Sequence, residues 1–144
     1  MPGKDREIRA CQDIDQSLLD SFLDNLRGKF RLTSVVVFGS RATGENLEES
    51  DYDIFVISPD FEGYRPFERV ELLLDAWPGL VPLEPVAMTP EEFNAADGAL
   101  VWDILLEGLV LLDDGTFEEK RRRHRERMRS GELRKENDCW IRVK

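Results

Sequence analysis

Apolar residues at Ile14, Leu18, Leu19, Phe22, Leu23 and Leu26 recur at three- and four-residue intervals, the spacing of one helical face, and Gly28 offers a stop. The pattern then tightens. Leu32 to Phe38 (LTSVVVF) is short, apolar and β-branched, which predicts a buried strand, and Asp51 to Ser58 (DYDIFVIS) predicts a second, ended by Pro59. Phe67, Val70, Leu73, Leu74 and Trp77 return to helical spacing, with Pro78 and Gly79 closing that helix. Leu80 to Met88 predicts a third strand whose Pro82 and Pro85 place it at a sheet edge or a bulge.

The remainder alternates in the same way. Thr89 caps a helix with Pro90 at its first turn and Glu92 completing a capping box. Gly98 breaks it, and a further helix carries Leu100, Ile104 and Leu105 toward Gly108. Leu109 to Gly115 predicts a short strand and turn, and a charged helix runs from about Phe117 to Ser130. Interleaved helices and strands of this kind predict an α/β (α+β) fold, a small mixed sheet flanked by helices.

At 144 residues with 41% hydrophobic content, the chain is long enough for one cored domain. No apolar stretch approaches a membrane span, and the charged N-terminus has no apolar run behind it, so the expectation is a cytoplasmic protein without a secretory signal. Cys11 and Cys139 lack metal-ligand or CxxC spacing and are expected to be free thiols. P-loop, zinc and Ser-His-Asp patterns are absent.

Charge divides the chain unevenly. Residues 1–116 carry 9 basic and 24 acidic side chains, whereas 117–144 carry 11 and 6. We therefore expect a body at 1–116 and a basic helix and tail at 117–144. The acidic body argues against direct nucleic-acid binding, and any phosphate it handles needs a divalent cation between. With dense basic residues and little apolar surface, the tail reads as a solvated helix, a segment folded across its own acidic body, or an arm reaching an acidic partner protein or RNA, the protein contact being favoured, and His124 in RRRHRER as a solvated side chain. Trp77 and Trp102 fall at core-facing spacings; Trp140 would pack back on the sheet or mark an interface.

The chemistry concentrates in FGSRATGENLEESDYDIFVI, Phe38 to Ile57. On a strand, Asp51 and Asp53 point to one side, continued into the core by Phe55 and Ile57, while Tyr52, Ile54 and Val56 face the other. Two carboxylates so placed repel unless a cation lies between them, and Mg2+ is the hard-oxygen guest that also takes substrate phosphate. Gly39 lets backbone approach a phosphate, Ser40 adds a hydroxyl and Arg41 a charged donor.

Gly39-Ser40, ten residues, then Asp51-x-Asp53 resembles the GSx10DxD signature of the polymerase beta-like nucleotidyltransferase superfamily, in particular its minimal single-domain (MNT) branch. The resemblance covers about Leu18 to Asp114. It implies a polymerase beta palm-like fold and metal-assisted transfer of a nucleoside monophosphate, by default AMP from ATP, onto a hydroxyl. It further implies Asp51, Asp53 and Glu84 as catalytic metal ligands for two Mg2+ ions, and Gly39, Ser40 and Arg41 at the phosphates. Glu84 stands where the family more often has Asp, one methylene shorter; the alternative is a Glu on an edge strand facing solvent. Minimal relatives work with a helical HEPN-type partner protein in toxin–antitoxin pairs, which makes such a partner the expected acceptor. Two other functions stay open: a nucleotide-binding or antitoxin subunit acting by contact, and a small-molecule nucleotidyltransferase. Homo-oligomerisation is also left open.

Overall fold

The computed structural model describes residues 14–45 and 50–143. Helix α1 (Gln16–Arg27) precedes β1 (Ser34–Phe38); a single-turn helix α2 (Ser40–Thr43) leads toward β2 (Tyr52–Ile57). After a 3-10 turn at Pro59–Phe61 come α3 (Pro66–Ala76), β3 (Leu83–Met88), α4 (Pro90–Ala95), α5 (Ala99–Glu107) and β4 (Leu109–Asp113). The chain continues with α6 (Thr116–Arg129), β5 (Leu133–Glu136) and β6 (Cys139–Arg142). The helices and strands expected through Ser130 are all present; the last hairpin was not expected. Cys11 lies outside the described residues, and Cys139 is a free, exposed thiol.

Four strands form a mixed sheet in the order β3-β2-β1-β4. β1 runs antiparallel to both β2 and β4, whereas β2 and β3, joined across α3, are parallel. β3 is an edge strand, where Pro85 is tolerated because the missing N–H leaves a ladder bond on the open side dispensable.

Both sheet faces are covered, as strand alternation requires. Val35, Val37, Tyr52, Ile54 and Val56 pack with Leu19, Phe22 and Leu26 of α1 and Leu73 of α3. The intervening Val36, Phe55 and Ile57 face Phe93 of α4, Val101, Ile104 and Leu105 of α5, and Phe117 of α6. Thr89 and Glu92 form the expected capping box, and Glu92 also binds the buried Arg69 guanidinium at 2.6 Å, tying α3 to α4. Among the described residues no helix is long and apolar enough to cross a membrane.

The boundary expected between residues 116 and 117 falls at the start of α6. The charged segment beyond it is neither a solvated helix nor an outlying arm. Phe117 is fully buried and stacks on Phe93, with ring centroids 5.8 Å apart, and Leu133 is fully buried as well. His124, expected in solvent, is 2% exposed. Trp140 packs on Trp102 of α5 and on His124, at 5.6 and 5.4 Å between centroids, rather than on the sheet.

Opposite charges complete this docking. Asp103 accepts hydrogen bonds from Lys135 Nζ at 2.7 Å and Trp140 Nε1 at 2.8 Å, and Asp97 accepts from Arg127 at 2.9 Å. The basic residues thus fold across the chain's own acidic surface. The hairpin turns at Asn137 and Asp138, both at positive φ (49° and 63°), the geometry that two-residue hairpin loops require and that Asn and Asp tolerate.

Candidate active site at the β1–β2–β3 edge

The two ends of the opening motif meet at one end of the sheet. Phe38 pairs with Asp53 across the antiparallel β1–β2 ladder, so Gly39, the next residue, lies directly beside the Asp53 side chain. A Cβ built at Gly39 would stand 2.2 Å from Asp53 Oδ2 and 3.1 Å from its Cγ. Gly39 also has φ of 71°, a conformation unfavourable for residues with side chains. Glycine is therefore required twice over: for the turn that starts α2 at Ser40, and for the room the carboxylate occupies.

Glu84 is the register partner of Asp53 across the parallel β2–β3 pair. Register partners in a sheet share a face, which brings the third predicted carboxylate to the first two. The electrostatics agree: burial first, then the charges of Glu84 and Asp51, push the Asp53 carboxyl above its ordinary value. Asp51 and Asp53 are half-buried, and Glu84 is exposed at the sheet edge. Strand register thus puts Glu84 beside Asp53, with Asp51 two residues before it, and the like charges of both are felt at the Asp53 carboxyl.

Arg41 is placed differently from the open phosphate donor that the sequence suggests. Its guanidinium is buried, donates from Nε and Nη2 to the Ser50 carbonyl at 3.2 and 2.7 Å, and lies 4.3 Å from the Tyr52 ring centroid. Ser50 and Tyr52 flank Asp51. Arg41 consequently clamps both neighbours of that carboxylate onto the first turn of α2, a positioning task that could not be read from residue spacing. Tyr52 is in turn held by its ring against Trp77, 5.4 Å away, and by accepting a hydrogen bond from Asp15 N at 3.0 Å.

Among the described residues, no three His, Cys, Asp or Glu side chains already converge as a metal cage. Such a cage is not what Mg2+ demands. It usually takes one or two carboxylates and completes its shell with water and substrate phosphate. Two half-buried aspartates, with the Asp53 carboxyl pushed above its ordinary value by burial and then by the charges of Glu84 and Asp51, next to a glycine that keeps side-chain atoms away, fit a divalent cation that arrives with phosphate.

The model of the nucleotidyltransferase domain family matches residues 19–135. The chain belongs to this family. It is thus a nucleotidyltransferase by family, and its fold agrees with solved structures. A nucleotidyltransferase from Sulfolobus solfataricus superposes with a TM-score of 0.51 at 19% identity, over 76% of this chain and 86% of that one. A toxin–antitoxin structure with AMP-PNP gives a TM-score of 0.53 at 20% identity, over 78% and 90%. The toxin–antitoxin MntA-HepT gives 0.51 at 19%, over 81% and 92%. At these identities the structures support the fold. No curated protein matches the chain. The family match extends through α6 and into β5, beyond the Leu18 to Asp114 stretch that carried the sequence resemblance.

Proposed function

We propose that this nucleotidyltransferase moves a nucleoside monophosphate, AMP from ATP, onto a hydroxyl of a partner protein with the help of Mg2+. The observation that carries the reading is the convergence of Gly39, Asp53 and Glu84 by strand register, with Asp51 clamped beside them. Asp51 and Asp53 are the residues that would hold Mg2+, with Glu84 completing the set from β3. When bound, the ion supplies positive charge against the triphosphate and relieves the repulsion among the carboxylates.

The chain's own groups do the rest. Gly39 leaves backbone and Ser40 hydroxyl open to the β and γ phosphates, and Arg41 holds the Asp51 segment in place. Glu84, exposed on the edge strand, is accessible to an incoming acceptor; its carboxylate orients the attacking hydroxyl and takes its proton as the new phosphoester bond forms and pyrophosphate leaves. A Glu reaches one methylene further than the family's usual Asp, which the exposed edge position accommodates.

A protein acceptor is supported by the surface as well as by the toxin–antitoxin neighbours. Phe67 and Leu74, seven residues apart on one face of α3, are both exposed, as are Tyr64 and Leu80. The expected partner is a helical HEPN-type protein. Glu84→Gln should lower transfer of labelled AMP to such a partner by about a hundredfold or more while leaving MgATP binding intact. Unchanged turnover in Glu84→Ala would remove Glu84 from the chemistry and return it to a surface role.

A further inference from the structure

A second cavity lies away from the sheet edge, among α4, α5 and α6. It has a volume of about 270 Å³ and contains none of the residues of the candidate active site. Its titratable and charged lining residues are Asp97, Lys120, Arg123, His124 and Arg127, with Trp102 as an aromatic wall. Formal charge on these side chains is three positive against one negative, in a chain whose net charge is −10.

Two of the cations are fixed by the fold. Lys120 Nζ donates to the carbonyls of Phe93, Asn94 and Ala96, and Arg127 to Asp97 and Glu132. Arg123 is exposed at the mouth and makes no hydrogen bond or ion pair with any described residue. His124 is 2% exposed, yet neither ring nitrogen meets a partner at hydrogen-bonding geometry. The Trp102 backbone lies close enough to favour the charged ring slightly, while burial and the Arg127 charge favour the neutral one more. A neutral imidazole has one N–H to donate and one lone pair to receive a proton donor, and burying both unused is unfavourable.

We propose that this cavity is a binding site for a small organic phosphate. A hydrogen phosphate group supplies the hydrogen-bonded counter-charge that no described residue gives Arg123, offers oxygen acceptors to the imidazole N–H, and has a P–OH that can donate to the other nitrogen. The volume exceeds what a phosphate alone fills. The remaining space, against the Trp102 ring, suits an apolar or aromatic ester group.

His124 is the chain's one histidine, so its imidazole resonances report on the cavity directly. The full-length protein with 15N-histidine, in EDTA, is titrated with inorganic phosphate, phenyl phosphate and acetate at matched ionic strength. Both phosphates should shift His124 saturably, phenyl phosphate the more tightly, and acetate should not. Arg123→Gln should weaken phosphate binding about tenfold, and Asp53→Asn should leave it unchanged. The proposal is overturned by an absent or non-saturating shift, by an equal response to acetate, or by affinity unaltered in Arg123→Gln. It is also overturned if Asp53→Asn abolishes the shift, which would place binding at the sheet edge. Because no metal or nucleotide is added, failure here leaves the nucleotidyl-transfer reading untouched.

Discussion

The sheet edge and the C-terminal unit both concentrate charge, but they use it in opposite ways. Around Asp53 the charges are alike: burial first, then Glu84 and Asp51, push its carboxyl up, and the nearby Arg41 donates to the Ser50 carbonyl. Around α6 and its hairpin the charges are opposite and matched, Arg127 to Asp97 and Glu132, Lys135 to Asp103. Fold stability alone would not select the first arrangement, since repulsion among half-buried carboxylates opposes folding. It is the kind of strain that marks a ligand site. The second arrangement ties a basic segment to an acidic body, so composition that suggested an interaction arm turns out to be a docking device.

The strongest way to break this comparison is to cut the chain after Gly115. If the C-terminal unit belongs to the fold, truncation removes fully buried Phe117 and Leu133 and bares Trp102. Loss of one large buried side chain typically costs about 3–5 kcal/mol, a large share of a domain's stability. The truncated chain should therefore lack a cooperative melting transition by circular dichroism. A well-folded truncated protein would restore the arm.

Gly39→Ala tests the other region. The added methyl must displace the Asp53 carboxylate and adopt a strained φ of 71°. We expect MgATP affinity, read by calorimetry, to fall by about a hundredfold, with a melting temperature lowered by a few degrees, on the order of 1 kcal/mol. An affinity within twofold of the native protein would show that the carboxylate does not need that space.

The smallest expected effect concerns His124. Its folded pKa is held below the ordinary value by burial and by Arg127. An unfolded chain therefore takes up a proton that the folded chain refuses as pH falls. Stability should be full above about pH 7 and decline as pH drops through about 6.5, and His124→Phe should flatten that slope in denaturant melts.

Most of the framework was legible because it rests on period. Val35, Val36 and Val37 announce a strand buried on both faces, and the Thr89–Glu92 box starts α4 where the spacing predicts. Glycine and carboxylate spacing gave Gly39 and Asp53, since a short loop between antiparallel strands brings its ends together whatever its interior does. The role of Arg41 was hidden because its partners are a backbone carbonyl and a ring face set by the loop's path. The docking of α6 was hidden because only Phe117 and His124 are buried on it, one of them a residue usually counted as polar. The hairpin did leave a signal, Asn137-Asp138 between LRKE and CWIR, a two-residue turn pair flanked by short runs.

The central claim is that Asp51 and Asp53 hold the divalent ion that brings the nucleotide. Calorimetric titration of ATP in Mg2+ and in EDTA tests it most directly, on the native protein and on Asp51→Asn with Asp53→Asn. The account predicts markedly tighter binding with Mg2+, with about 2.7 kcal/mol of added stability at a hundredfold excess over Kd, and loss of that difference in the double variant. The double variant in EDTA should melt no lower than the native protein, because it loses the repulsion at Asp53. ATP affinity indifferent to both Mg2+ and the substitutions would contradict the account.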